Sequence, residues 1–274
     1  MDVSRPQRTP AGDLPQAEGV APRQLRRATV AHPLVISHRT NMGTMPENTL
    51  VGIDAALADG VDGVEIDVRA TRDGRVVLLH DATLERTTGD ARVLVDVTAD
   101  ELATVRTRPI HGIGPQPVPT LAETLDHIGS RAILVIEVKQ RGIHEAVAAE
   151  VRAADAAEWC WIWAFDPEVA IACRGALPEV PVGLNLQRGS LERYGYAGEA
   201  TALAVRHGLS ALSMSHDLAD EATVRAIHRR GLAAYTWTVD EPADLARVRD
   251  AGVDAICSNF PPRVRANLGL SDGR

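Results

Sequence analysis

The sequence predicts an α/β protein built as a TIM-type (β/α)8 barrel with an added antiparallel β-hairpin. Two observations lead to this prediction. Short β-branched runs alternate with Ala- and Leu-rich stretches of helical period along most of the 274 residues, which is the pattern of a parallel sheet or barrel. The length also suits one large domain with a substantial core. We expect one barrel domain over residues 31–262, a disordered leader over 1–30 and a C-terminal tail over 263–274.

Nine candidate strands follow one another along the chain. They span Leu34–Arg39, Gly63–Arg69, Val76–His80, Ala132–Lys139, Cys160–Phe165, Val182–Leu186, Ala211–Ser215, Ala233–Val239 and Asp254–Ser258. Helical periodicity predicts helices near 47–59, 98–106, 120–128, 143–157, 167–175, 197–207, 219–230 and 241–251. A short closing helix is expected after Pro261-Pro262.

Nine strands are one too many for the barrel, and the second and third explain the surplus. About six residues separate them, whereas a parallel return needs a crossover of a dozen or more. They are therefore predicted to form an antiparallel hairpin over Gly63–His80. With Asp73 and Gly74 as the two turn residues, Asp67 lies opposite His80. In the alternative, the His80 strand is itself a barrel strand and the register is looser.

The composition limits the partners of the protein. The net charge of −8 gives no electrostatic reason to expect nucleic acid or an anionic membrane. No apolar run approaches the ~18 residues of a membrane span, and residues 1–30 lack the apolar core of a secretory signal. Three scattered cysteines indicate a reducing compartment. These features predict a cytoplasmic protein without nucleic-acid binding or stable membrane insertion, and they leave its oligomeric state unknown.

Chemically capable side chains gather where the predicted strands end. In a βα barrel the reaction takes place at the carboxyl ends of the strands. The residues placed there are His38, Arg39, Glu65, Asp67, His80, Glu137, Lys139 and Trp237. Lys139 is the only lysine among 29 Lys and Arg residues, so this position calls for a compact ammonium group in place of a planar guanidinium. The convergence predicts a functional site at this rim.

The acids of this rim suggest a metal. Glu65, Asp67 and Glu137 offer three oxygen ligands, and all-oxygen coordination suits Mg²⁺ or Ca²⁺ better than zinc. In the alternative, these acids cap nearby helices or pair with Arg39 and Lys139.

The basic residues of the rim suggest acid–base and anion chemistry. His38 and His80 are candidates for a general acid and base, because histidine titrates near neutral pH. Arg39 and Lys139 beside a metal would form an anion-binding centre of the kind that phosphoryl chemistry uses.

Three further residues are candidate pocket residues with open alternatives. Glu47 either orients Arg39 or acts as a first-turn helix acid. Trp237 either walls the pocket or packs in the core. Within the run Trp159-Cys160-Trp161-Ile162-Trp163, packing against helices is the favoured interpretation, and Trp163 is the member expected to touch substrate.

A series of motifs resembles the glycerophosphodiester phosphodiesterase family, in order and with ordinary spacing from about residue 34 to 262. The motifs are His38-Arg39, Pro46-Glu47-Asn48-Thr49, Glu65-Ile66-Asp67-Val68, Thr71-Arg72-Asp73-Gly74, His80-Asp81, Leu84 to Gly89, Pro119-Thr120-Leu121, Glu137-Val138-Lys139, Thr236 to Val239 and Gly252 to Ile256.

The resemblance implies a TIM barrel that cleaves a small or lipid-derived phosphodiester with a divalent metal. It implies that Glu65, Asp67 and Glu137 hold the metal and that His38 and His80 form the acid–base pair. Arg39 and Lys139 would bind the phosphate, and Trp237 would line the pocket. A neighbouring hydroxyl of the substrate would act as nucleophile and give a cyclic phosphate that water can open.

Two positions depart from the family pattern. Thr40 stands where the family has glycine, and a β-branched residue should resist positive φ, so we expect a different first loop. The strand-end serine of the family is replaced in Trp163-Ala164-Phe165-Asp166. Altered walls beside an intact set of catalytic candidates predict phosphodiester chemistry with a changed alcohol or head group.

Three alternative functions remain open. The same residues would serve a phospholipase-D-like lyase that stops at the cyclic phosphate. Lys139 would form a Schiff base in an aldolase-type barrel, although neighbouring acids would keep its ammonium protonated. A barrel that binds a phosphodiester without turnover is the non-enzymatic alternative.

Overall fold

A computed structural model describes residues 32–189 and 197–270, in which eight parallel strands close into a barrel. The predicted leader (1–30) and the last residues of the predicted tail (271–274) lie outside the described residues, so the proposed domain boundaries stay predictions. The ring closes because the first strand pairs in parallel with both the second and the last. The predicted TIM-type fold is confirmed.

All nine predicted strands are present. The strands are β1 Leu34–Ser37, β2 Gly63–Ala70, β3 Val76–Leu78, β4 Ile133–Val138, β5 Cys160–Ala164, β6 Val182–Leu186, β7 Ala211–Ser215, β8 Ala233–Trp237 and β9 Ala255–Ser258. Most are buried on both faces, as β2, β5 and β6 illustrate, because the lumen fills one face and helices cover the other.

Helices separate the strands and close the chain. The helices are α1 Leu50–Ala58, α2 Glu85–Thr88, α3 Ala99–Leu102, α4 Leu121–Ile128, α5 His144–Ala153, α6 Pro167–Ala176, α7 Ala197–Arg206, α8 Glu221–His228, α9 Pro242–Ala251 and α10 Pro261–Asn267. Local sequence starts several of them: Thr120 and Glu123 form a capping box before α4, and Asp220 caps α8. Such caps satisfy the free N–H groups of the first turn. None of the described helices is long and apolar enough to cross a membrane.

The hairpin lies outside the ring, but its predicted register is wrong by one residue. β3 pairs antiparallel with β2 through Val68 and Leu78, and the Leu79 N–H donates to the Asp67 carbonyl at 3.0 Å. Asp67 therefore lies opposite Leu79, not His80. The turn has three residues between Thr71 and Arg75, whose backbones are hydrogen-bonded, and Gly74 takes the left-handed conformation (φ 85°) that three-residue loops require.

The apolar core has three parts: one outside the barrel wall, one inside it, and a small one beside the hairpin that includes Val77, Leu79 and Leu94. The outer part joins the strands to the helices. The inner part fills the lumen, where Trp161 stacks on Tyr235 at 5.2 Å between ring centroids, and Trp163 on Tyr235 at 5.9 Å. The expectation that this tryptophan run packs against helices is wrong for Trp161 and Trp163, because their positions on β5 face the lumen. Of these three tryptophans only Trp159 packs against the outer core, which Cys160 and Ile162 of the same run also join.

The side chains in the lumen stack in levels. Neighbouring strands of a TIM barrel are staggered by about one residue, so each level takes four side chains from alternate strands. With the observed pairings, the middle level contains Glu65, Trp163, Ser213 and Cys257. The upper level, nearer the carboxyl ends of the strands, contains His38, Glu137, Asn185 and Trp237.

Candidate active site

The backbone of the first loop, which follows β1, lies against Glu65 of β2. The Arg39 N–H donates to Glu65 Oε2 at 2.7 Å, and the Thr40 N–H donates to the Glu65 carbonyl at 2.8 Å. Both residues are left-handed, with φ of 46° and 72°. The expectation that Thr40 would resist positive φ is therefore wrong. Its hydroxyl donates to the Arg39 carbonyl at 2.5 Å, and its side chain is fully buried, so local contacts support the strained conformation.

Glu65, Asp67 and Glu137 form a buried carboxylate cluster. One oxygen of each lies within 4.8 Å of the others, and the residues are 1%, 1% and 7% exposed. Strand alternation aims all three into the lumen, and the pairing of Asp67 with Glu137 across β2 and β4 brings the two strands' acids together.

The pKa values of these three acids shift in different directions. Burial, with the charges of Asp67 and Glu137, raises the pKa of Glu65 well above its usual range. Burial and the charge of Asp67 raise the pKa of Glu137 to about 7. Burial acts in the same direction on Asp67, but Lys139 and Arg39 outweigh it and lower the pKa of that carboxyl. Without a further cation, the cluster does not hold three negative charges easily at neutral pH.

The carboxylate cluster fits a divalent cation. Glu65 Oε1 is buried and has no hydrogen-bond partner among the described residues, and a lone buried carboxylate oxygen is costly. The three donors are hard oxygen ligands, which Mg²⁺ and Ca²⁺ prefer. A divalent ion held here would neutralise the charge that raises the pKa values of Glu65 and Glu137.

Two basic side chains flank the cluster. Lys139 Nζ donates to Glu137 Oε1 at 2.6 Å and lies 3.4 Å from Asp67 Oδ1. Arg39 Nε lies 3.4 Å from Asp67 Oδ2. Burial favours the neutral amine of Lys139, but Glu137 and Asp67 outweigh it and raise its pKa. Lys139 therefore stays protonated, which argues against the Schiff-base alternative.

His38 is oriented by two residues to which the sequence analysis assigned no role. Asn259 donates its amide to Asp240 at 2.7 Å, and its Oδ1 lies 2.7 Å from His38 Nδ1. Because that oxygen can only accept, Nδ1 carries the proton. Nε2 has no hydrogen-bond partner among the described residues. Burial and the charge of Arg39 lower the pKa of His38. Asn259 and Asp240 follow the ends of β9 and β8, so their strand-end positions were an available indication.

His80 is oriented in the same way from the hairpin side. Its Nδ1 lies 2.7 Å from Asp81 Oδ1, so Nδ1 donates, and within the described part of the chain Nε2 has no hydrogen-bond partner. Arg86 links Asp81 to Glu47. Burial lowers the pKa of His80, against the opposing charge of Asp67. The negative charge of Asp67 acts on both imidazoles and opposes the lowering of their pKa values.

Glu47 contacts two arginines and is not a first-turn helix acid. It lies 3.3 Å from Arg39 and accepts from Arg86 at 2.6 and 2.8 Å. Helix α1 begins only at Leu50. Its neighbour Asn48, also without a role in the sequence analysis, is left-handed (φ 54°) and donates to Asp67 Oδ2 at 2.9 Å. A second bond, from the Asp67 N–H to Asn48 Oδ1 at 3.0 Å, holds this acid from both sides.

The opposite wall of the lumen is aromatic. Phe165 packs edge-on against Trp237 with ring centroids 5.2 Å apart, and Lys139 Nζ lies 5.3 Å from the centre of the Phe165 ring. Trp163 is 2% exposed. The indole nitrogens of Trp163 and Trp237 are buried without hydrogen-bond partners in the described part of the chain.

The sequence of the chain also matches a known protein family. The chain matches the Glycerophosphoryl diester phosphodiesterase family over residues 38–263. The chain belongs to this family. It is an enzyme of the phosphoric diester hydrolase class, and the non-catalytic alternative is set aside.

Individual relatives of this family member agree over nearly their whole length. A glycerophosphodiester phosphodiesterase from Caldanaerobacter subterraneus subsp. tengcongensis is 30% identical, with 83% of this chain and 94% of the relative covered. The crystal structure of a glycerophosphodiester phosphodiesterase from Agrobacterium tumefaciens is 25% identical, has a TM-score of 0.74, and covers 85% and 99% of the two chains. The fold is also shared, at 24% identity and a TM-score of 0.74 over 87% and 98% of the chains, with an Oleispira antarctica phosphodiesterase in complex with the product sn-glycerol-3-phosphate.

Proposed function

We propose that this phosphodiesterase cleaves glycerophosphodiesters with Mg²⁺ or Ca²⁺ held by Glu65, Asp67 and Glu137. One observation carries the proposal. The carboxylate cluster, whose oxygens lie within 4.8 Å of one another, lies between the basic side chains of Arg39 and Lys139 and the imidazoles of His38 and His80. The product bound to the Oleispira antarctica relative, sn-glycerol-3-phosphate, supports a small phosphodiester as substrate. When bound, the metal would supply Lewis-acid stabilisation of charge on the phosphoryl oxygens.

In this proposal Arg39 and Lys139 bind the phosphate. Both side chains already contact the carboxylates that would hold the metal ion. The phosphate of a diester bound to that metal ion would therefore contact them directly. Cations placed where negative charge accumulates lower the barrier to phosphoryl transfer. Glu47 acts through Arg39, which it contacts at 3.3 Å.

His38 and His80 divide the proton transfers. One Nε2 accepts the proton of the attacking hydroxyl, and the other delivers a proton to the leaving alcohol oxygen. Both histidines have a free Nε2 atom and a lowered pKa. These two features support the role of general base for the histidine that is neutral. A neighbouring substrate hydroxyl is the proposed nucleophile, since tethering brings it close to phosphorus. Trp237 and Trp163 are the proposed walls of the substrate pocket.

The compartment proposed for this reaction is the cytoplasm. Cys160, Cys173 and Cys257 are all buried free thiols, and free cysteines are typical of reducing compartments.

The test is a phosphorus NMR time course with glycerophosphocholine, a bulkier lysophospholipid, and either Mg²⁺ or Ca²⁺. We expect metal-dependent loss of the diester signal that is absent in EDTA and in Glu65→Ala. Glu150→Gln is the matched control, because Glu150 lies on α5 outside the barrel. A monoester product supports hydrolysis, and a persistent cyclic phosphate supports the lyase alternative. Unchanged spectra with both metals would contradict the proposal.

A further inference from the structure

His80 lies just beyond the strand pairing of the hairpin. β3 ends at Leu78, and the Leu79 N–H donates to the Asp67 carbonyl at 3.0 Å. The backbone of His80 is held by a side chain, since Arg69 Nε donates to the His80 carbonyl at 2.9 Å. That bond fixes the main chain but not the imidazole, so the direction of the ring depends on the groups around it.

Arg86 links the partner of this imidazole to a second acid. Its Nη1 and Nη2 donate to the two carboxylate oxygens of Glu47 at 2.6 and 2.8 Å, and its Nε donates to Asp81 Oδ2. The other oxygen of Asp81 lies 2.7 Å from His80 Nδ1. Each oxygen of Asp81 therefore has its own partner, and a rotation of this carboxylate would break both contacts.

The same arginine connects two loops of the charged rim. Glu47 belongs to the loop between β1 and α1 and also lies 3.3 Å from Arg39. The contacts form one chain, which runs from Arg39 through Glu47, Arg86 and Asp81 to His80. The proposed phosphate-binding group and the proposed proton-transfer group thus share one support.

A short helix holds the backbone of Arg86 in place. Helix α2 (Glu85–Thr88) follows Leu84, which is fully buried in the small apolar core beside the hairpin. The Thr88 hydroxyl donates to the Leu84 carbonyl at 2.8 Å, and the Thr87 carbonyl accepts from the Arg108 N–H at 2.7 Å. The start of the Arg86 side chain is therefore fixed, although 47% of that side chain is exposed.

The planar guanidinium suits this position better than a single ammonium group. Glu47 and Asp81 lie on different edges of it, and its rigid fork supplies donors to both acids at once. Burial favours the neutral acid of Asp81, but hydrogen bonds from Arg86 and His80 outweigh it and lower its pKa to about 2. An ionised Asp81 can only accept, so its contact with His80 requires a proton on Nδ1.

We propose that Arg86 is a positioning residue that fixes the orientation and the tautomer of His80 through Asp81. All three guanidinium nitrogens of Arg86 donate to the two acids, so the arginine acts through Asp81 and not on the substrate. With the proton held on Nδ1, Nε2 remains available for the substrate. The inference rests on the proposed phosphodiesterase function, in which His80 transfers a proton.

The first test is steady-state kinetics with glycerophosphocholine and saturating Mg²⁺ or Ca²⁺. Arg86→Ala should lower kcat by about 10–100-fold, the range for residues that orient a reactive group, and KM should change less. Arg86→Lys should recover only part of this loss, because an ammonium lacks the fork that meets both acids. Added guanidinium ion at a non-denaturing concentration should partly restore the activity of Arg86→Ala.

Two further measurements distinguish positioning from a merely structural role. If Arg86 acts through Asp81, the double variant should be no more than about threefold slower than Asp81→Ala alone, whereas independent effects would multiply. Nitrogen NMR of histidine-labelled protein should show neutral His80 protonated at Nδ1 in the wild type and a mixture of ring tautomers in Arg86→Ala. The spectrum of His80→Ala assigns the signal.

Arg92→Ala is the matched control. Arg92 lies in the same segment, is 45% exposed and pairs with Asp90 through Nε at 3.0 Å, so its loss should leave kcat and the His80 tautomer unchanged. Thermal melting checks that each variant is folded. Wild-type kcat in Arg86→Ala, an unchanged tautomer, or effects that multiply with those of Asp81→Ala would each overturn the inference. If the wild-type enzyme does not cleave glycerophosphocholine with either metal, the proposed function itself fails.

Discussion

The two halves of the barrel lumen differ in charge. The charged half, formed by β9, β1, β2 and β4 with the loop after β3, contains the carboxylate cluster, two imidazoles and the side chains of Arg39 and Lys139. The neutral half, formed by β5 to β8, presents tryptophans and the buried polar side chains of Asn185 and Ser213. The difference separates two tasks: charge stabilises a transition state, whereas neutral hydrogen-bonding groups discriminate between substrates. Substitutions in the charged half should therefore abolish turnover, and those in the neutral half should alter selectivity.

The largest effect is expected in the charged half from Glu137→Gln. The change removes one proposed metal ligand and the partner of Lys139 Nζ. We expect kcat/KM for glycerophosphocholine to fall by at least ~10²–10³-fold, as when a preorganised electrostatic group is lost. Isothermal titration should show weaker Mg²⁺ or Ca²⁺ binding. Normal turnover by the Glu137→Gln variant would contradict the assignment of catalysis to the charged half.

The next effect concerns the two histidines. His38→Ala and His80→Ala should each lower kcat by about 10²–10³-fold, because each removes a proton-transfer group. Steady-state kinetics with the metal at saturation measures this. His127→Ala is the control, since His127 lies on α4 and bonds to Asp54. A loss below threefold in either active-site variant would exclude that histidine as acid or base.

A smaller loss of activity is expected from Asn259, which with Asp240 positions His38. Asn259→Leu removes the acceptor of His38 Nδ1 and should lower kcat by about 10–100-fold, which is typical of residues that orient a reactive group. The hydrogen bond from His38 to Asn259 raises the pKa of that imidazole. Its loss should therefore move to lower pH the limb of the kcat/KM profile that His38 controls. An unmoved limb beside reduced kcat would indicate a merely structural role.

The pH dependence of the charged half follows from Glu137. Its pKa of about 7 lies above the value expected in an unfolded chain. In EDTA, its contribution to the free energy of unfolding should be lost as pH rises through 7. Metal binding competes with this proton, so affinity should rise by up to about tenfold between pH 6 and 8. Melting temperatures in EDTA and in Mg²⁺ at both pH values measure this, and equal metal-induced shifts would contradict it.

The smallest effect is expected from Thr40→Gly. Glycine accepts positive φ without strain but has more freedom in the unfolded chain and lacks the buried hydroxyl contacts. These effects oppose each other, so the free energy of unfolding should change by less than about 1 kcal/mol. Urea denaturation measures it. A loss beyond 2 kcal/mol would mean that the threonine hydroxyl, and not backbone strain, dominates this loop.

The sequence analysis anticipated the charged half better than the neutral half. Acids and bases such as Glu65 and His38 stand out at strand ends because few other roles suit them there. Asn185 and Ser213 are ordinary polar residues in strand sequences, and nothing local distinguishes a lumen-facing serine from a solvated one. Their unpaired state becomes visible only when neighbouring strands close around them.

The hairpin shows a similar limit. Both strands and their antiparallel pairing were predicted, but the register of Asp67 was wrong by one residue. A single additional turn residue changes the partner of every residue in the ladder. Turn length depends on the left-handed conformation of Gly74 and on contacts around the turn, including the Ala99 N–H that donates to Asp73 at 3.0 Å. The sequence alone does not distinguish two-residue from three-residue turns here.

The sequence by itself determined the (β/α)8 pattern and the candidate residues at the strand ends, because periodicity and residue chemistry are local properties. Tertiary structure decided how those residues meet: the orientation of each histidine, the shared buried cluster of three acids and the neutral wall opposite them. These depend on the stagger of eight strands around a closed ring, and closure brings together residues that are more than a hundred positions apart in the chain.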